Sequence, residues 1–352
     1  MRIRETWRRG LGFAAVFVGL TVIAAPPAAG QVGGLYNVVA LSPLTFDSTS
    51  TARDITGTPQ VVGTSGYISG SDTRAVRWTS AGIESLGTLP SGDYSAAFGV
   101  NASGQIVGTS NTSTVVRAFL WTSSGGMQDL GALPNDNGSE AFDINNTGDV
   151  VGASSGPTGV RAVVWRSGGG IQSLGTLPGG NYSKAIAINS SGAVVGMSTS
   201  SSGTHAFFWT EGGGMRDLGT LPGHTSSEAF AINNSGQVVG YSRGPNATRA
   251  FLWTSAGGMQ DLGVLPGGDY SMAFGINNLG QVVGTSTSSS GTRAFLWTSV
   301  AGMLDLNTVI PPALGLVLSE AHCINDTGQI AALTGGGHEV EHYYRVYLLT
   351  PP

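Results

Sequence analysis

The chain has one cysteine, Cys323, and one lysine, Lys184, among 352 residues, and only 11% of it is charged. A lone cysteine excludes an internal disulfide, so an exported form would be held by its core rather than by staples. Scarce charge beside 40% hydrophobic residues excludes a disordered, solvated chain. No basic cluster follows Arg9, which removes the footprint that nucleic acid or an anionic membrane requires. A bilayer-spanning run is missing too. The apolar stretch Leu11–Ala25 covers 15 residues, against the roughly 20 a spanning helix needs.

What the sequence has in plenty is glycine, 56 residues with no triplet period. This is not collagen, and it fits a turn-rich all-β chain of short strands. Arg2, Arg4, Arg8 and Arg9 precede the apolar stretch, and small residues run from Pro26 to Gly30. That order predicts a secretory signal peptide over residues 1–30, with 31–352 as the mature chain. Its removal lowers Lys+Arg from 16 to 12 and Asp+Glu from 21 to 20, leaving a net charge of −8. The mature protein is expected outside the cytoplasm, either extracellular or in the periplasm or cell envelope, without a membrane span.

One unit then recurs seven times. Trp78, Trp121, Trp165, Trp209, Trp253 and Trp297 stand 43, 44, 44, 44 and 44 residues apart, each ending a segment such as RAFLW. The seventh copy is Arg345–Leu349, with Leu in place of Trp. A second segment reads QVVG, as at Gln60–Gly63 and Gln237–Gly240, and a third ends in Ile-Asn or Val-Asn, as at Ala97–Asn101 and Ala321–Asn325. A fourth is of Asp-Leu-Gly type, as at Met127–Gly131, with a worn first copy at Tyr36–Leu44. Each is four to six residues long, with alternating side chains and Gly, Asn or Pro at its ends.

Four short strands in about 44 residues make one propeller blade, and seven blades account for nearly all of residues 31–352. The mature chain begins with a fourth-type strand and ends with a RAFLW-type strand, which takes the third position in a blade. A closing blade built from one N-terminal and three C-terminal strands would complete a ring and remove exposed edges. The sequence therefore predicts an all-β fold, a single seven-bladed β-propeller closed by its N-terminal strand. A β-helix is the competing architecture. The Trp, Phe, Leu and Val positions are expected between blades; with Trp121 opposite Met127 across the hairpin, Arg117, Arg249 and Arg293 sit diagonal to Asp129, Asp261 and Asp305 as rim ion pairs.

The run His205-Ala206-Phe207-Phe208-Trp209, with Gly-Gly-Met, Asp-Leu-Gly-Thr-Leu, Ile-Asn and Gly-Gln-Val-Val-Gly in register, resembles the HAF-type bacterial extracellular repeat. The resemblance covers nearly all of residues 36–349. It implies an exported repeat protein and brings no catalytic residues. His occurs only at His205, Arg taking its place in the other copies, so no histidine ring is expected.

Candidate ligand-binding residues come from the loops. Asp93-Tyr94, Asn181-Tyr182 and Asp269-Tyr270 recur 88 residues apart, in alternate blades. A tyrosine beside Asp or Asn suits stacking on, and hydrogen bonding to, a sugar. The competing reading is that each tyrosine covers the neighbouring loop. His224, His322, His338 and His342 lack metal-ligand spacing, so no metal site and no cofactor are expected. The repeats read as nearly uniform except in the last copy, whereas an enzyme is expected to break its repeat at unique acid and base residues. The expected role is a monomeric, non-enzymatic binding or scaffold module for a glycan, a cell-surface component or another protein. The alternatives are a polysaccharide hydrolase or lyase, with carboxylates such as Asp93 and Asp269, and an envelope structural protein without a small ligand.

Overall fold

The computed structural model describes residues 34–66, 72–335 and 344–352. The expected signal peptide, together with His338 and His342, lies outside the described residues. Seven antiparallel sheets of four strands each form a β-propeller. Blade 1 runs outward from Thr49–Ile55 through Val61–Gly66 and Arg74–Thr79 to Gly82–Ser85. Blades 2 to 6 repeat that order from the inner strands Ser95–Val100, Gly138–Ile144, Ser183–Ile188, Ser226–Ile232 and Ser271–Ile276. Blade 7 takes its inner strands Leu318–Ile324, Ile330–Thr334 and Arg345–Thr350 from the C-terminus. Its outermost strand is Asn37–Leu41 from the N-terminus, paired antiparallel from Asn37 opposite Thr350 to Leu41 opposite Val346. The expected strand exchange therefore closes the ring.

The strand alternation determines which blade each side chain meets. Ile106, Phe119 and Trp121 of blade 2 pack against Val62, Ala75 and Leu89 of blade 1. Val107 and Ala118, pointing the opposite way, meet Val150, Val163 and Trp165 of blade 3. Four interfaces set Phe and Trp of one blade against Val and Ala of its neighbour, Val taking the place of Phe in blades 1 and 3, and both faces of a sheet are buried. The six repeat tryptophans are all 4 to 7% exposed, which makes them core. The last interface joins Ala331, Leu333 and Val346 of blade 7 to Ala52, Val76 and Trp78 of blade 1.

Buried hydroxyls bond the connections between blades. Ser198 Oγ accepts the Leu177 N–H at 2.9 Å, and Ser183 Oγ accepts the Ala162 N–H at 2.9 Å. Leu177-Pro178-Gly179-Gly180 makes a tight turn in which the Gly180 N–H donates to the Leu177 carbonyl at 2.9 Å. Gly179 has φ +78°, the conformation required two residues into such a turn. The Arg and Asp of the outer strands meet as expected: Arg117–Asp129 at 3.7 Å, Arg249–Asp261 at 3.9 Å and Arg293–Asp305 at 3.8 Å. These pairs are solvated, and contacts of this kind contribute under about 1 kcal/mol each.

Asparagines stitch the inner strands into a belt. Asn145 Nδ2 donates to the Asn189 carbonyl, Asn189 to Asn233, Asn233 to Asn277, and Asn277 to Asn325, over 3.0 to 3.4 Å. Asn101 donates to Asn145, and Asn325 closes the ring onto the Thr56 carbonyl at 3.0 Å. Thr56 replaces Asn in blade 1, and its hydroxyl turns to the Thr58 carbonyl. The belt is therefore interrupted between blades 1 and 2.

Candidate binding site at the channel mouth

Aligned on their first serine, the inner strands read STARDIT, SAAFGVN, SEAFDIN, SKAIAIN, SEAFAIN, SMAFGIN and SEAHCIN. Each contains a β-bulge, for example between Ala141 and Asp143, which leaves the fourth residue without a partner in the ladder. A bulge re-aims side chains, and here it brings the fourth and fifth residues to the central channel. The fourth residues Arg53, Phe98, Phe142, Ile186, Phe230, Phe274 and His322 line a cavity of about 440 Å³. Asp54, Asp143 and Cys323 line it from the fifth position. Arg53, Asp54, Asp143, His322 and Cys323 each occur in only one or two blades at these positions, so the inner strands diverge where they face the channel.

The second-strand glycine makes room for the bulge. A Cβ on Gly240 would meet the Glu228 carbonyl oxygen at 1.9 Å, and the same holds for Gly196 against Lys184 at 2.0 Å. Ala332 is the one non-glycine at this position, and blade 7 is also where the inner ladder carries a second register shift, between Leu318 and Glu320.

Aromatic rings form much of the cavity wall. Phe98 and Phe142 have centroids 5.6 Å apart, Phe230 and Phe274 5.8 Å apart, and His322 stacks on Phe274 at 4.9 Å. The Arg53 guanidinium lies 6.0 Å from the Phe98 centroid. His322 Nε2 is 2.8 Å from Glu320 Oε2. Burial lowers the His322 pKa, while the hydrogen bond from His322 holds the Glu320 carboxyl below its ordinary value.

Two carboxylates span neighbouring blades. Asp54 accepts the N–H of Ile55 at 2.7 Å and of Val100, in the next blade, at 2.8 Å. Asp143 accepts Ile144 N–H at 2.7 Å and Ile188 N–H at 2.8 Å. The Asp54 bond crosses the very joint where the asparagine belt is interrupted. Burial raises both carboxyls, the charge of Asp54 raises Asp143 further, and the backbone N–H groups act in the opposite sense. Cys323 is buried, and desolvation pushes its thiol well up, so it is no ready nucleophile.

The sequence-derived loop residues lie just before the inner strands that line this cavity, and none of them is among its lining residues. Tyr94, Tyr182 and Tyr270 each immediately precede an inner-strand serine and are half-buried, while Asp93, Asn181 and Asp269 are exposed. Tyr94 lies within electrostatic reach of Arg53, Tyr182 beside Lys184, and Tyr270 near Glu320 and Arg243. The Asp and Asn side chains fasten loops: Asp93 to Asn111, Asn181 to Thr199 at 3.3 Å, and Asp269 to Thr287 at 3.0 Å. The Asp93 and Asp269 main-chain carbonyls also accept bonds from Arg74 and Arg249. The loops after the second strands share this face, as expected. The opposite mouth has a smaller cavity, about 250 Å³, ringed by the asparagine belt.

Sequence reasoning missed the channel residues because it gathered the third segment under its constant Ala and Ile-Asn. The signal was present in the second, fourth and fifth columns of the seven aligned copies. Among the described residues no helix is long and apolar enough to cross a membrane, and no cluster of three or more His, Cys, Asp or Glu could hold a metal ion.

The chain matches no protein-family model and no curated protein. Its fold is similar to that of solved propellers. A streptogramin B lyase superposes with TM-score 0.56 at 12% identity, covering 90% of this chain and 98% of the other. Virginiamycin B lyase from Staphylococcus aureus gives 0.55 at 13% identity, covering 90% and 99%. TolB from Acinetobacter baumannii gives 0.51 at 11% identity, covering 84% and 66%. At such identities the likeness establishes the seven-bladed architecture and leaves the chemistry to this chain's own residues.

Proposed function

We propose that this chain is an exported, HAF-type glycan-binding module whose ligand sits over the tyrosine-rimmed mouth of the channel. One observation carries the reading. Three half-buried tyrosines, Tyr94, Tyr182 and Tyr270, each stand four residues before a residue that walls the cavity, Phe98, Ile186 and Phe274. Flat aromatic faces rimmed by hydroxyl, amide and carboxyl groups suit the alternating apolar and hydroxylated surfaces of a pyranose. Tyr94, Tyr182 and Tyr270 would stack or hydrogen-bond, with Asp93, Asn181 and Asp269 holding their loops. The leader-like residues 1–30 support export to the cell surface or envelope, where such ligands lie. A glycan array run with a polysaccharide turnover screen tests the proposal. It requires binding that falls in Tyr94→Ala, Tyr182→Ala and Tyr270→Ala, with no turnover.

The Glu320–His322 pair favours a second reading, a polysaccharide hydrolase or lyase. The Glu320 carboxylate is 2.8 Å from the imidazole of His322, which lines the cavity with Arg53, an arrangement suited to acid–base chemistry. Turnover abolished by Glu320→Gln or His322→Ala would establish that reading and remove the first. Binding without turnover removes this one.

A further inference from the structure

The residue after each bulge offers its backbone N–H at a common level of the channel: Ile55, Val100, Ile144, Ile188, Ile232, Ile276 and Ile324. Four of the seven are held by internal carboxylates, in pairs from adjacent blades. Asp54 takes Ile55 and Val100, and Asp143 takes Ile144 and Ile188. The Ile188 case is the informative one. Its own blade has Ala187 at the fifth position, yet its N–H still reaches a carboxylate from the blade before. The N–H direction therefore comes from the bulge and not from an adjacent aspartate.

Ile232, Ile276 and Ile324 stand in the same register, opposite Val238, Val282 and Ile330 as Ile188 stands opposite Val194. Ala231, Gly275 and Cys323 occupy the fifth position there, so in these three consecutive blades no carboxylate stands at the place Asp54 and Asp143 hold. Among the described residues no side chain hydrogen-bonds these three amides. Asp54 and Asp143 show what this geometry accepts: a planar two-oxygen group bridging two blades.

We propose that the amides of Ile232, Ile276 and Ile324 bind a ligand carboxylate, that of a uronate residue in the glycan. The choice of a sugar acid rests on the glycan reading above, while the carboxylate site rests on the backbone alone. Phe230 and Phe274 flank the amides with centroids 5.8 Å apart and give the pyranose ring a face to pack on. Arg53 and His322 line the same cavity, Arg53 supplying positive charge. Asp54 and Asp143 also face the cavity and Glu320 stands behind His322; burial favours the protonated form of Asp143, pushed up to about 8, which weakens the repulsion it presents to a ligand carboxylate.

The test is a titration of the ¹⁵N-labelled chain with tri-galacturonate and, separately, with its methyl ester. The site requires amide shifts at Ile232, Ile276 and Ile324, and affinity for the acid at least about tenfold above that for the ester, 1.4 kcal/mol. Ala231→Asp places an internal carboxylate where Asp143 stands in blade 3, so it should erase the preference for the acid while the melting temperature is kept. If that variant fails to fold, the wild-type comparison of acid and ester still decides. Equal binding of acid and ester, or shifts elsewhere only, overturns the carboxylate site and leaves the glycan reading standing. Shifts at the three amides with free galacturonate, with no oligosaccharide bound at any length, keep the site and remove the glycan reading.

Discussion

Two phenylalanines separate the core from the channel. Phe251 is 0% exposed and packs between blades 4 and 5 against Val195, Ala206 and Leu218. Truncating a fully buried phenylalanine costs about 3–5 kcal/mol, since the cavity collapses only in part. At about 2–4 °C per kcal/mol for a large domain, Phe251→Ala should lower the melting temperature by roughly 6–20 °C. Phe230 is half-buried and its ring meets Tyr241 and Phe274. Losing such aromatic contacts at a partly open wall costs about 1–2 kcal/mol, a fall of only about 2–8 °C. Glycan affinity should move the opposite way, with Phe230→Ala losing about tenfold or more and folded Phe251→Ala little. Differential scanning calorimetry and titration calorimetry on both variants read the two effects. Equal thermal losses, or weaker binding only in Phe251→Ala, would refute this division of the rings.

Further outcomes follow from single residues. Gly240→Ala drives a Cβ to within 1.9 Å of the Glu228 carbonyl and should cost about 1–3 kcal/mol, read by urea denaturation; an unchanged midpoint would contradict the bulge argument. Thr56→Asn supplies the missing donor of the belt and should stabilise by about 0.5–1.5 kcal/mol, visible as a higher melting temperature. The Asp143 carboxyl is pushed up to about 8 by burial and by Asp54, above an unfolded value near about 4. The folded state therefore binds the extra proton, so this group's stabilising contribution is complete below the unfolded pKa and is lost as pH rises through the folded one. His322 and Glu320, both lowered, act in the opposite sense below about pH 6.5. Denaturant midpoints should accordingly fall between about pH 6.5 and 8 in the wild type, and Asp143→Ala should flatten that slope.

The fold was legible because a blade is a local unit written seven times. Trp spacing gave the count, and the fourth-type strand at Tyr36–Leu44 against the RAFLW-type strand at Arg345–Leu349 gave the closure. The opposition of Trp121 to Met127, and hence the Arg117–Asp129 contact, followed from hairpin arithmetic and holds. The loop tyrosines were visible as a period of 88 residues, but their place beside the channel depends on the inner strand's position, which periodicity alone does not state. The bulge was not legible. It slips the register by one residue and turns Arg53, Phe142 and His322 toward the axis, where a regular strand would alternate. Bridging by Asp54 and Asp143 was hidden for a related reason, since each joins residues 45 or 46 apart through a backbone N–H.

The central claim is that ligand binds at the tyrosine-rimmed mouth. Hydrogen–deuterium exchange with the array's strongest oligosaccharide at saturation tests it most directly. Protection should appear in residues 92–98, 180–186 and 268–274, and be absent from the hairpins after Asn101, Asn189 and Asn277. Protection confined to those asparagine hairpins, at the opposite mouth, would contradict the account.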